Sequence, residues 1–165
     1  MTATPFLRID EMLVSANIQR MARWASDAGV ALRPHVKTHK SVRIAEQQLA
    51  AGAVGITVAT VGEAEVFSRA GCTDIFIAYP LWVDEDLAAR LRAVAQGSRL
   101  IIGVDSVESA ARGVKLLGDA VEWRIEVDSG HHRSGCAPLA ANEIFAELLG
   151  NGGRVDGVFS FPGHS

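Results

Sequence analysis

Residues 33–41 read Arg-Pro-His-Val-Lys-Thr-His-Lys-Ser and place five basic or imidazole side chains in nine positions. Their order matters more than their number. If residues 31–37 form a strand, alternate side chains point to opposite faces. Arg33, His35 and Lys37 then share one face, and Leu32, Pro34 and Val36 the other. An amine crowded by cations and partly desolvated is favoured in its neutral form, and only a neutral amine attacks a carbonyl carbon to form a Schiff base. The chemistry in view is covalent catalysis through Lys37. The residue types alone equally allow a solvated basic strand end.

The elements that must position this stretch follow from periodicity. Apolar residues recur at helical spacing over 9–29, with Asp10 as N-cap and Gly29 as terminator. A helix is predicted over 41–51, capped by Ser41. Strand-like runs follow at 55–60, 74–79, 99–104, 121–128 and 154–161. Helices are predicted between them at 62–70, 83–95, 107–117 and 138–149. With the run at 31–37 this makes six strands alternating with helices. Runs that are apolar throughout are covered on both faces, as in parallel sheets with helical crossovers.

The fold class is therefore α/β, either doubly wound or a (β/α) barrel. The run at 121–128 favours the barrel. Trp123, Ile125 and Val127 make an apolar face suited to a helix layer, while Arg124, Glu126 and Asp128 make a charged face opposing the basic track of 33–37. Barrel interiors are normally apolar, so two polar tracks point to a site. Lys37, Thr60, Tyr79, Asp105, Asp128 and His164 all fall near C-terminal strand ends, the catalytic end of such barrels. A complete barrel needs eight strands and about 250 residues. The chain has 165, so about six of eight βα units are expected, as a single partial domain over 1–165 and the N-terminal piece of a longer protein.

Composition excludes several classes. The net charge of −3 and sparse aromatics do not fit a nucleic-acid binder. No window approaches the ~18 consecutive apolar residues of a membrane helix, and residues 1–5 lack signal-peptide character. Two distant cysteines, Cys72 and Cys136, read as reduced thiols in a cytoplasmic protein.

Three stretches carry a family resemblance: Arg33 to Lys40, Thr57-Val58-Ala59-Thr60-Val61-Gly62-Glu63-Ala64-Glu65, and Glu126-Val127-Asp128-Ser129-Gly130-His131-His132-Arg133-Ser134-Gly135. The ending Phe161 to Ser165 is a weaker fourth. On these the chain resembles the fold-type III pyridoxal-phosphate enzymes with an alanine-racemase-like N-terminal barrel, in the branch of the D-threonine aldolases and D-serine dehydratases. The resemblance implies that Lys37 forms the Schiff base with pyridoxal 5'-phosphate and moves protons at the substrate α-carbon. It implies that Arg133 lies near the cofactor's phenolic oxygen and the substrate carboxylate, a task suited to a planar charged fork. His35, on the side of Lys37, holds or tunes it. Thr60 and Tyr79 are candidates to line the pocket, and His164 to contact cofactor or substrate. Phe161 stands where alanine racemases carry a histidine that stacks on the pyridine ring. A phenyl ring stacks but cannot hydrogen-bond, which weighs against a racemase.

What the resemblance implies for function is a lyase that cleaves the Cα–Cβ bond of D-3-hydroxy amino acids. The alternatives are D-serine dehydration, racemisation and a non-catalytic pyridoxal-phosphate carrier. The full-length protein is expected to be a homodimer, with a C-terminal β-domain beyond this chain that holds any divalent-metal ligands.

Overall fold

The computed structural model describes residue 6 and residues 8–163. Helix α1 (Glu11–Asp27) opens the chain, with Asp10 accepting hydrogen bonds from the Met12 and Leu13 amides. An extended segment leads to a short 3-10 turn at Val36–Thr38, then α2 (Val42–Ala50). From there strands and helices alternate: β1 (Ile56–Val58), α3 (Val61–Arg69), β2 (Asp74–Pro80), α4 (Glu85–Ala95), β3 (Arg99–Val104), α5 (Val107–Leu117), β4 (Glu122–Glu126), a 3-10 turn at Pro138–Ala140, α6 (Ala141–Gly150) and β5 (Arg154–Phe159).

The five strands are parallel and lie in chain order, β1-β2-β3-β4-β5. A doubly wound sheet would reverse its strand order at a switch point; this one has none. The apolar cluster joins Ile56, Ile75, Ile77, Leu100, Ile102, Trp123 and Ile125 of the strands to Phe67, Leu91, Val114 and Leu148 of the helices. Those alternate strand residues define one helix-covered outer face. The arrangement is a barrel segment that the described residues do not close.

The first expected strand requires correction. Residues 31–35 do run beside β1, with the Val54 and Thr57 amides donating to the Leu32 and Pro34 carbonyls at 2.9 and 2.8 Å. A single parallel bridge joins His35 to Thr57. The ladder then ends, because the chain turns into the 3-10 turn at Val36. Lys37 thus sits in that turn and not on a strand face shared with Arg33.

The inner face is charged at its N-terminal end. Arg33 donates to Asp74 at 2.6 Å, and Arg99 reaches Asp74 at 3.0 Å together with Glu122 and Asp156. Arg124 pairs with Asp156 and lies over the Phe76 ring at 4.6 Å. Burial opposes the charge of Asp74 and Asp156, yet their arginine partners hold both carboxyls below the usual range. Above this floor Phe76 and Phe159 meet edge to face at 4.9 Å. Of the charged face read in 121–128, Arg124 joins this floor, whereas Glu126 meets Ser134 and Asp128 meets His132, not the basic residues of 33–37.

Gly113 in α5 is a packing requirement. A Cβ there would lie 2.3 Å from the Trp123 ring, which is fully buried. Gly→Ala in a helix gains about 1 kcal/mol of propensity, but overpacking a closed core costs about 1–3 kcal/mol, and Trp123 has no room to yield. We expect Gly113→Ala to lower stability by about 1–2 kcal/mol in denaturant unfolding; an unchanged or raised midpoint would contradict this packing.

Candidate active site

The Lys37 turn is built locally. The His39 and Lys40 amides donate to the Val36 carbonyl at 3.3 and 2.8 Å, and Lys40 takes a left-handed φ of 50°. His35 Nδ1 accepts from the Lys37 amide at 3.4 Å, and the His35 ring also has a backbone hydrogen bond with Thr57. Burial, then the charge of Lys37, pulls the His35 pKa below its ordinary value. His35 is thus a neutral imidazole that fixes the turn.

The two lysines of this motif are treated differently. Lys40 Nζ pairs with Glu63 Oε1 at 2.9 Å. Glu63 also accepts from the Ala59 amide at 2.7 Å, and its own amide donates to Thr60 Oγ1 at 3.1 Å. This is a capping box at the start of α3. Burial works against the Glu63 charge, but the Ala59 amide and Lys40 hold its carboxyl below the usual range. Thr60, expected to line a pocket, spends its hydroxyl on this cap. Among the described residues no carboxylate lies within ion-pair distance of Lys37, which is exposed.

The loop after β4 is equally constrained. The Cys136 amide donates to the Glu126 carbonyl and the Asp128 amide to the Cys136 carbonyl, both at 2.9 Å, closing residues 126–136 on themselves. Gly135 has φ +99°, and a Cβ there would meet the Asp128 nitrogen at 2.7 Å. Asp128 accepts from the His132 and Gly130 amides at 3.0 and 2.9 Å, and its other oxygen lies 2.6 Å from His132 Nδ1. The His132 and Gly130 backbone bonds, with the His132 ring, push the Asp128 pKa down to about 2. The loop presents Arg133, whose guanidinium stacks on Phe161 at 4.3 Å, while His131 meets the same ring edge-on at 5.0 Å.

A cavity of about 300 Å³ opens at the C-terminal ends of β2 and β3, lined among others by Tyr79, Trp82, Asp105, Ser106 and Arg133. A second, of about 350 Å³, lies at the opposite strand ends beside Arg99 and Glu122 and belongs to the charged floor. The structure thus brings Tyr79 and Arg133 to one cavity, Arg133 and Phe161 into one stack, and His35 and Lys37 into one turn. His164 lies outside the described residues. Sequence reading gave no role to Glu63, whose signal was the Thr-Val-Gly-Glu capping pattern; Glu126, read on the charged face, is buried there. Cys72 and Cys136 are free, buried thiols whose pKa values burial raises. Among the described residues no helix is long and apolar enough to cross a membrane, and no three His, Cys, Asp or Glu side chains gather as a metal site.

This fold and lysine turn define a class. Residues 9–165 match the model of the alanine racemase N-terminal domain, and the chain belongs to that family. It is 41% identical over 169 residues to the D-threo-3-hydroxyaspartate dehydratase of a Delftia species, covering 98% of this chain and 44% of that one. An uncharacterised protein of Mycobacterium tuberculosis is 44% identical over 112 residues, 66% of this chain and 65% of the relative. The crystal structure of D-threonine aldolase from Filomicrobium marinum superposes with a TM-score of 0.88 at 32% identity, covering 94% of this chain and 43% of that one. The chain thus spans less than half the length of these two enzymes.

The Asp128 tether carries a prediction. Because the Asp128 pKa is depressed, its support of the loop is present above the usual carboxylate pKa and is lost only as pH falls through about 2. Asp128→Ala, which removes the accepting oxygen, should accelerate hydrogen exchange at the Gly130 and His132 amides at neutral pH and leave β3 amides unchanged. Equal protection in the variant would rule the tether out.

Proposed function

We propose that this chain is the lysine-bearing part of a pyridoxal-phosphate-dependent lyase acting on D-3-hydroxy amino acids, with Cα–Cβ cleavage as its reaction. The observation that carries this reading is the contrast within one motif: Lys40 is committed to Glu63, whereas Lys37, three residues earlier, has its backbone held by His35 and its amine unpaired among the described residues. An exposed amine free of a carboxylate partner is able to act as nucleophile and proton carrier.

The residues present fit the cofactor. An unpaired amine and an arginine lining a cavity meet the needs of an anionic aromatic aldehyde. When bound, pyridoxal phosphate supplies an electron sink for charge developing at the substrate α-carbon. Lys37 would hold it and carry the α-proton. Arg133 would bind an anionic oxygen, with Phe161 holding its planar guanidinium in place. Tyr79 would wall the cavity. His35, neutral, keeps the Lys37 turn closed without adding a second positive charge. A divalent metal, a further domain, a homodimeric assembly and a cytoplasmic location belong to the same proposal.

A second reading is dehydration by β-elimination from the same substrates, supported by the 41% identity to the Delftia dehydratase over nearly the whole chain. Products separate the two: D-threonine cleaved to glycine and acetaldehyde speaks for cleavage, and 3-hydroxy-D-aspartate converted to oxaloacetate and ammonia speaks for dehydration. The cofactor assignment is tested first. After incubation with pyridoxal phosphate and borohydride reduction, peptide mass spectrometry should find the label on Lys37, lost in Lys37→Ala and retained in Lys40→Ala. Label scattered over Lys37, Lys40 and Lys115 would overturn it.

A further inference from the structure

The chain's lysines are Lys37, Lys40 and Lys115, and the first two share one turn. Capture of an aldehyde by either follows the same course. An uncharged amine attacks the carbonyl carbon, a C=N bond forms, and the two amine hydrogens leave with the carbonyl oxygen as water. Two amines three residues apart beside one aldehyde therefore compete, unless something separates them. Here Glu63 does so. Its side chain is only 10% exposed, and both of its oxygens are used: Oε1 lies 2.9 Å from Lys40 Nζ, and Oε2 accepts from the Ala59 amide at 2.7 Å. Lys40 meets it with an uncommon backbone. Its φ of 50° is left-handed, a region lysine rarely adopts, and its amide is fixed to the Val36 carbonyl at 2.8 Å. Strain and ion pair thus fall on the same residue. Lys37 has no left-handed φ and, among the described residues, no carboxylate within ion-pair distance.

We infer that Glu63 is a positioning residue of the active site: by holding the Lys40 amine, it leaves Lys37 as the one amine free to capture the cofactor's aldehyde. This rests on the pyridoxal-phosphate reading above. The Glu63 amide donates to Thr60 Oγ1 at 3.1 Å, so the carboxylate projects from a fixed point in the first turn of α3. An ammonium bound to a carboxylate must give up both a proton and a partner before it can attack, whereas Lys37 gives up only a proton. The start of α3 does not need Lys40, because the Ala59 and Thr60 bonds close it already. The ion pair is an addition to that cap, and what it constrains is the lysine turn.

Glu63→Gln separates the two roles, since a glutamine oxygen still accepts from the Ala59 amide while the charge is lost. After pyridoxal phosphate and borohydride, peptide mass spectrometry should find the wild-type label on Lys37. In Glu63→Gln the label on Lys40 should rise about fivefold relative to Lys37, the order of one ion pair to a largely exposed amine. The same shift should appear in the unaltered protein as salt is raised from about 0.1 to about 1 M, because a pair with an exposed partner is screened. Salt should move nothing further in the variant. A label confined to Lys37 in Glu63→Gln, or a wild-type ratio indifferent to salt, overturns the inference and leaves the functional reading standing. A wild type without label on Lys37 strikes the functional reading itself, and this role of Glu63 falls with it.

Discussion

The charges on the inner face must be answered within that face. Arg33, Asp74, Arg99, Glu122, Arg124 and Asp156 come from the segment before β1 and from β2 to β5, and Arg99 alone touches three carboxylates. Removing one partner of a partly buried pair leaves an uncompensated charge, which costs far more than the pair contributes. The floor therefore works as a spacing device. It ties the strands at their N-terminal ends with directional bonds, where a barrel interior would otherwise use branched apolar side chains. With that end fixed, the opposite ends are left to carry loops.

The loops at the C-terminal end are rigid for reasons that do not involve any ligand. The capping box of α3 and its ion pair with Lys40 anchor the lysine turn from one side, and His35 anchors it from the other. Across the sheet, Asp128 and Gly135 close the loop that presents Arg133. Preorganisation of this kind places reacting groups before substrate arrives. It also explains why polar residues dominate the motifs: several of them are the loop's internal scaffolding, and only a few point outward to do chemistry.

Much of this was legible beforehand. The β-branched runs at 74–79 and 99–104 and the helix over 107–117 lie almost where the structure has them, because each is long, uniformly apolar or strongly periodic. The Trp123/Ile125 against Arg124/Glu126 alternation correctly sorted helix layer from interior. The segment 31–37 was misjudged because alternation continues through a turn as readily as through a strand; only the His39 and Lys40 amides, bonded to Val36, reveal the difference. Thr60 misled for a related reason. A threonine at a strand end is also a threonine at a helix start, and the Glu three residues on was the deciding sign. Glu126 was legible as part of the charged interior face, but nothing in a sequence says that one of its carboxyl oxygens lacks a partner.

The strand order has a consequence for how such a chain is made. Every strand of the sheet pairs with its immediate predecessor, so each βα unit, once it leaves the ribosome, finds its docking edge already built. Assembly can proceed in the order of synthesis, with no strand waiting for a distant partner and only short loops to close at each step. A nascent chain paused after β5 would already hold its floor network and its lysine turn in place.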